Sequence, residues 1–204
     1  MNKFFLLIIL FVILVSCAKK EEFKETVIKE KSLDLQVLEA YQEGMKNLES
    51  GDVLYAAKKF NEAEVLFPQS EWAPKSALMA AYSYYTQDYY ADTIAELERF
   101  LRVYPLSKNL DDAYYLLGIS YYEQIVDEKK DLQSIIKAKK YFKIIIQNYP
   151  NTNYSFDAEY KIALVNDILA AKEMYIGRYY FDKQKWIPAI NRFKTVIDNY
   201  DTTM

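Results

Sequence analysis

Phe100-Leu101-Arg102-Val103-Tyr104-Pro105 ends one amphipathic run of the chain and precedes another. The same aromatic-proline boundary occurs at Phe67-Pro68 and at Tyr149-Pro150, so that the three prolines lie 37 and 45 residues apart. Proline ends a helix because it lacks a backbone N–H and its ring collides with the preceding turn. Aromatic-proline boundaries at intervals of this length indicate an array of repeated helical units.

The segments between these boundaries repeat a pattern of small and large side chains. In four successive copies, small residues recur in the first helix and at the start of the second helix, and a large apolar residue follows four positions later. The first-helix positions are Gly44, Ala81, Gly118 and Gly177, and the large residues are Phe60, Leu97, Phe142 and Phe193. This is the tetratricopeptide pattern, in which small residues let two antiparallel helices approach and the large residue fills the space between repeats. We therefore predict an all-α fold, a right-handed α-solenoid of about four helix pairs.

The predicted helices follow from these boundaries. The first three pairs are 34–50 with 53–66, 71–87 with 90–103, and 108–125 with 134–148, and an insertion at 126–133 lengthens the third repeat. Residues 155–182 contain no proline and one glycine, which predicts an unusually long helix there. The last helix is predicted to start at Pro188, because proline suits the first turn, and to run to about Tyr200.

The N-terminal segment has the pattern of a lipoprotein signal peptide. Lys3 supplies a positive start, residues 4–15 are all apolar, and Leu14-Val15-Ser16-Cys17 resembles the bacterial lipobox. In a lipobox, cleavage occurs before a cysteine whose sulfur carries lipid. The apolar run is too short to span a bilayer, which needs roughly 20 residues. An uncleaved anchor or an ordinary secretory signal is the alternative.

These features predict three regions before and within the mature chain. Residues 1–16 are a signal peptide, residues 17–33 are a lipidated N-terminus and charged tether, and residues 34–204 are the repeat domain. Cys17 is expected to carry a diacylglycerol and an N-acyl chain, since one acyl chain anchors a protein only weakly. By resemblance to sorted lipoproteins, Ala18 in place of Asp favours the outer membrane.

Composition excludes several classes of function. The chain has no histidine and one cysteine, which removes the common zinc ligands, a Ser-His-Asp triad and any disulfide. A formal charge of −3 gives no basic face for nucleic acid. There is no glycine-rich phosphate motif, so the glycines are read as packing sites. No cofactor or metal is expected. A hydrolase with paired carboxylates would need converging acids, and the acidic residues fall at spacings expected of solvated helix faces: Glu62, Glu64, Glu96 and Glu98.

With the lipobox, tether and repeats in place, the chain resembles the BamD (YfiO/ComL) family of outer-membrane β-barrel assembly lipoproteins. The resemblance covers nearly all of residues 17–200. It is sharpest at Phe100–Pro105, at Asn148–Tyr154 with Asp157-Ala158, and from Tyr179-Tyr180 to Trp186–Arg192. The enlarged third repeat and the long helix after it also look like that family. Family members usually carry five repeats, so we expect either a shorter form or a missing last pair.

The resemblance implies a non-catalytic scaffold at the periplasmic face of the outer membrane, with several partners. These are a BamA-type insertase bound through its periplasmic POTRA domains, other assembly lipoproteins, and unfolded outer-membrane β-barrel proteins as clients. Arg192 falls where the family has a basic residue implicated in POTRA contact, with a solvated surface arginine as the alternative. Client binding is expected on the concave face of the first two repeats, where the candidates, which core packing would also explain, are Tyr41, Tyr82, Tyr85 and Tyr89.

One further class of function is left open by the sequence. A tetratricopeptide lipoprotein of the cell envelope that coordinates cell-wall synthesis or division would share the signal peptide and the repeats. Such proteins often show a coiled-coil segment or another repeat register, and neither is evident here. Depletion separates the two functions, through loss of outer-membrane barrels in one case and wall or division defects in the other.

Overall fold

The computed structural model describes residues 32–125 and 132–200, and all the regular structure in these ranges is helical. The predicted all-α fold is therefore confirmed. The eight helices in these two ranges are α1 Leu33–Glu49, α2 Val53–Leu66, α3 Trp72–Tyr85, α4 Tyr90–Val103, α5 Leu110–Glu123, α6 Gln133–Asn148, α7 Asn153–Asp182 and α8 Trp186–Asn199.

Each helix packs against its neighbours in sequence, and the first helices of the pairs, α1, α3, α5 and α7, also contact one another. Short connections between consecutive helices produce this arrangement, because neighbours joined by a few residues must lie side by side. The result is a row of first helices along one face of the solenoid and a row of second helices along the other.

Glycines in the first helices are explained by contact with phenylalanine rings of the same repeat. A Cβ at Gly44 would lie 2.8 Å from the Phe60 ring, and one at Gly118 would lie 2.7 Å from the Phe142 ring. Both rings are fully buried. The small first-helix residues and the large second-helix residues of the pattern therefore meet within a repeat. Phe60 also belongs to a core cluster with Ala80 of the next repeat.

The turns inside three of the four repeats share one backbone conformation. Gly51, Asp88 and Gln184 follow a first helix and have positive φ angles of 84°, 63° and 58°. Glycine adopts this left-handed region freely, whereas Asp88 and Gln184 adopt it at some cost. The side-chain amide of Gln87 donates a hydrogen bond of 2.9 Å to the Gly51 carbonyl, which ties the first two of these turns together.

The predicted long helix is confirmed as α7, which has 30 residues and begins at Asn153, two residues earlier than predicted. Thr152 caps it, because its hydroxyl accepts a hydrogen bond of 3.1 Å from the Ser155 N–H. The last helix begins at Trp186 rather than at Pro188. Pro188 still lies in the first turn, where its missing N–H leaves no helical hydrogen bond unmade.

The outer face of α8 is more exposed than the equivalent face of the other second helices. Phe193 and Val196 are partly buried, whereas their counterparts in the first three repeats are fully buried. Ile187, Ile190 and Ile197 of the same helix are largely exposed. In α2, α4 and α6 this face is covered by the first helix of the following repeat.

Candidate binding groove

A groove of about 740 Å³ lies along the row of first helices. This volume falls within the roughly 300–1,000 Å³ typical of ligand sites. We call it the concave groove. Its lining residues come from α1, α3, α5 and α7 and from the residue before α5: Tyr41, Lys75, Leu78, Met79, Tyr82, Tyr85, Asn109, Asp112, Tyr115, Leu116, Ile119, Glu123, Tyr154, Asp157 and Lys161.

The groove has an apolar centre and polar ends. Leu78 and Met79 of α3 face Leu116 and Ile119 of α5 across it. Lys75 and Asp112 lie in the first turns of α3 and α5, and Glu123 is the last residue of α5. Lys161 lies in the first third of α7, and its Nζ is 4.6 Å from the centre of the Tyr122 ring, near that end of α5. An apolar floor with polar groups at its margins suits a segment that has apolar side chains and a hydrogen-bonding backbone.

Three of the four tyrosines predicted to bind clients line the concave groove. Tyr41 packs edge-on against Phe60, with ring centroids 5.2 Å apart, and against Trp72 at 5.0 Å. Burial raises its pKa. Tyr82 is 43% exposed, and its ring lies 6.5 Å from that of Tyr85. Tyr41 therefore packs in the hydrophobic core and also lines the groove, whereas the ring of Tyr82 is exposed in the groove.

Tyr89, the fourth predicted tyrosine, lies elsewhere. It is the residue before α4, in the turn that follows α3, and it is outside the group that lines the groove. Its side chain is exposed.

Two reciprocal tyrosine-aspartate hydrogen bonds join α5 to α7 in the groove. The Tyr115 hydroxyl donates to Asp157 at 2.7 Å, and the Tyr154 hydroxyl donates to Asp112. The two rings stack at 4.6 Å. The hydrogen bond to Asp112 raises the pKa of Tyr154 to about 12, and burial followed by the bond to Asp157 raises the pKa of Tyr115.

Sequence reasoning missed this α5–α7 clasp. Its one local signal is that Asp112 and Tyr115 have the same three-residue spacing as Tyr154 and Asp157, in the opposite order. Residues three apart share one face of a helix, so the two faces can exchange hydrogen bonds when the helices lie side by side. The clasp fixes the separation of α5 and α7 where the groove is polar.

Arg192 forms an ion pair within the protein and remains partly exposed. Its Nη1 lies 2.9 Å and 3.2 Å from the two carboxylate oxygens of Glu173 in α7. The Arg192 side chain is still 43% exposed. It lines a shallow depression of about 290 Å³ formed by α7 and α8, whose other lining residues are Tyr180, Ile187, Pro188, Asn191 and Thr195.

The expectation of solvated acidic faces is wrong for Glu64. This residue is only 7% exposed, and its carboxylate pairs with both Nη atoms of Arg99 at 2.7 and 2.8 Å. The Tyr104 hydroxyl donates to the same carboxylate at 2.7 Å. The spacing of Glu64 on its own helix does not indicate this ion pair, because Arg99 and Tyr104, the side chains that cover Glu64, come from the next repeat. By contrast, Glu62 is exposed and pairs with Lys59.

Arg99 also binds a second carboxylate. Its Nε donates to Glu96 of the same helix at 2.9 Å. The hydrogen bond to Glu64 is the main cause that raises the pKa of Arg99, and burial is the main cause that raises the pKa of Tyr104. We call Glu64, Arg99 and Tyr104 the junction cluster, because it joins α2 of the first repeat to the end of α4 in the second.

The predicted lipid attachment at Cys17, the signal peptide and most of the tether lie outside the described residues, as does much of the 126–133 insertion. Within residues 32–125 and 132–200, no helix is both long and apolar enough to cross a membrane.

Comparisons with known proteins show which family this chain resembles in sequence. A family described as "YfiO: Outer membrane lipoprotein" matches residues 33–204. A relative from Caulobacter vibrioides, named outer membrane protein assembly factor BamD, is 39% identical over 92% of this chain and 60% of its own length. Relatives with the same name from Rickettsia prowazekii and Neisseria gonorrhoeae are 36% and 32% identical, over 97% and 83% of this chain and 76% and 67% of their own lengths. The chain therefore spans less than two thirds of the Caulobacter relative.

Proposed function

Because the chain belongs to the YfiO family of outer membrane lipoproteins, we propose that it is a non-catalytic scaffold in the assembly of outer-membrane β-barrel proteins. The concave groove is the observation that carries this proposal, since it offers an apolar floor and exposed tyrosines along several repeats. Solenoids of this kind bind partners on the face formed by their first helices. The names of the relatives, assembly factor BamD, support the same role.

The client that suits this groove is an unfolded β-barrel segment. Strands of outer-membrane barrels are about 10 residues long and alternate apolar with polar side chains. When such a segment is extended, its apolar side chains can contact Tyr82, Leu78 and Leu116 while its backbone faces the polar margins. Tyrosine suits this contact because a rigid ring is buried at little entropic cost and its hydroxyl can still hydrogen-bond.

A binding measurement tests the groove as the client site. A fluorescent ten-residue peptide with the alternating sequence of a barrel strand is titrated with the protein, beside a peptide of the same composition without alternation. The double variant Tyr82→Ala/Tyr85→Ala is expected to weaken binding about tenfold or more, since interface tyrosines are frequent hot spots. Tyr179→Ala is the matched control, because Tyr179 is similarly exposed on α7 but does not line the groove.

Tyr89→Ala completes this experiment. It is expected to leave the affinity unchanged, because Tyr89 lies outside the groove. An unchanged affinity in Tyr82→Ala/Tyr85→Ala would contradict the groove as the client site. A large loss in Tyr89→Ala would move the site toward the turn between α3 and α4.

We also propose that the α7–α8 pair contacts the POTRA domains of a BamA-type insertase, with Arg192 at the contact. The depression beside Arg192 is partly apolar, and the guanidinium at its edge is suited to a bidentate bond with a carboxylate. Arg192→Glu is expected to abolish co-purification with purified POTRA domains. Glu173→Gln is the control, since it removes the internal partner and keeps the guanidinium. Undiminished co-purification of Arg192→Glu would contradict this contact.

Anchoring completes the proposal. A lipid on Cys17 would hold the groove close to the inner surface of the outer membrane, where clients arrive and other assembly lipoproteins sit. The mass of the mature N-terminus decides this point, because an unmodified residue 17 would exclude the lipid anchor.

A further inference from the structure

The junction cluster occupies a place where the other repeats use apolar side chains. Glu64 lies four residues after Phe60, and the residues at the same place after Leu97 and Phe142 are Leu101 and Ile146. Both of these pack against the hydrophobic core. A buried carboxylate is costly to desolvate, whereas leucine or isoleucine at this place is not. The first junction, where the second repeat packs on the first, therefore contains a buried ion pair, whereas the two junctions that follow have apolar side chains at this place.

The junction cluster fixes the orientation of the first repeat relative to the second, which apolar contacts alone would leave free. The Arg99 guanidinium is planar and binds both oxygens of Glu64, so it constrains distance and angle together. Tyr104 adds a third bond from the end of α4. At the turns of the same two repeats, Gln87 binds the carbonyl of Gly51. Hydrophobic contact is non-directional and would allow the first repeat to tilt on the second.

The orientation of the first repeat relative to the second determines the position of the side of the concave groove that Tyr41 lines. Among the lining residues, Tyr41 is the one that comes from the first repeat, and it lines the groove together with Lys75, Met79 and Tyr82 of the second. A tilt of α1 and α2 relative to α3 and α4 would move Tyr41 toward or away from this row. We propose that Glu64 and Arg99 are positioning residues of the groove, which act from the opposite face of the solenoid by setting where Tyr41 stands. The importance of this position for client binding rests on the proposed function.

Distances between spin labels test the proposal without any client. In a full-length Cys17→Ser background the chain has no other cysteine, so labels can be placed at exposed Gln42 of α1 and Glu159 of α7. The double variant Glu64→Leu/Arg99→Leu is expected to broaden or shift the distance distribution of this pair. A second label pair, at exposed Ala91 of α4 and Glu159, does not cross the first junction and is expected to keep its distribution.

Two further variants separate positioning from simple packing. Arg99→Lys keeps the charge but loses the two-pronged contact, so it is expected to broaden the 42–159 distribution less than the double leucine variant. Glu43→Gln/Lys59→Met removes an ion pair that lies inside the first repeat, and it is expected to change neither distribution. Arg99→Lys also keeps the test usable if the double variant folds poorly.

Peptide binding supplies the second readout. With Tyr41 displaced, the Glu64→Leu/Arg99→Leu variant is expected to bind the alternating peptide about fivefold more weakly, because a less preorganised groove binds less tightly. An unchanged 42–159 distribution in the double variant would overturn the proposal, whatever the peptide does. Failure of the wild-type protein to bind the peptide would instead count against the proposed function and leave the positioning result standing.

Discussion

Arg99→Leu is expected to lower the free energy of unfolding by about 3 kcal/mol, near the lower end of the effect of breaking a buried ion pair. The variant leaves the Glu64 carboxylate buried with one remaining partner, the Tyr104 hydroxyl. Glu64→Leu alone is expected to cost less, about 1 kcal/mol, because Arg99 is one third exposed and keeps its bond to Glu96. The two single variants should therefore be unequal.

The double variant Glu64→Leu/Arg99→Leu is expected to lie close to wild type in stability. Replacing both partners of a buried pair by apolar groups is often neutral or stabilising, and Leu101 and Ile146 show that this fold accepts apolar residues at the place of Glu64. Urea unfolding measures all three variants, and hydrogen exchange in α2 and α4 locates the loss. Equal costs for the two single variants would contradict the asymmetry argued from burial.

Local features of the sequence were sufficient to predict the all-α fold and most helix ends. Aromatic-proline boundaries placed the ends of α2, α4 and α6 within one or two residues, because proline acts on the backbone of its own turn. Gly118 and Phe142 were identified as packing positions because small and large residues recur at these two places in each repeat, whereas their mutual contact was shown by the structure. The start of α8 was misplaced by two residues, since proline is compatible with several positions of a first turn.

Polar contacts between repeats could not be predicted from local features of the sequence in the same way. Glu64 and Arg99 are 35 residues apart, and Asp112 and Tyr154 are 42 apart. Whether such residues meet depends on the angle at which one repeat packs on the next, and that angle is set by many side chains together. Of the candidate tyrosines, Tyr41, Tyr82 and Tyr85 lie on first helices and line the groove, whereas Tyr89 lies in a turn outside it.

Gly118→Ala is expected to lower the free energy of unfolding by about 2 kcal/mol. The new methyl group would lie 2.7 and 2.8 Å from two ring carbons of Phe142, which is fully buried and has little room to move. Overpacking of this kind costs up to about 3 kcal/mol. Alanine in place of glycine favours the helix by about 1 kcal/mol, which offsets part of the clash. Urea unfolding of the variant gives the net value.

The second repeat shows how such a clash is relieved. There the pair is Ala81 with Leu97, and both residues are fully buried in the core, so a methyl group is accepted where the partner is leucine. Adding Gly118→Ala to Phe142→Leu is therefore expected to be neutral or stabilising relative to Phe142→Leu alone. The cycle should give a favourable coupling of about 2 kcal/mol, within the range for residues in contact. If Gly118→Ala costs the same in both backgrounds, the clash with the ring is not what excludes a methyl group from position 118.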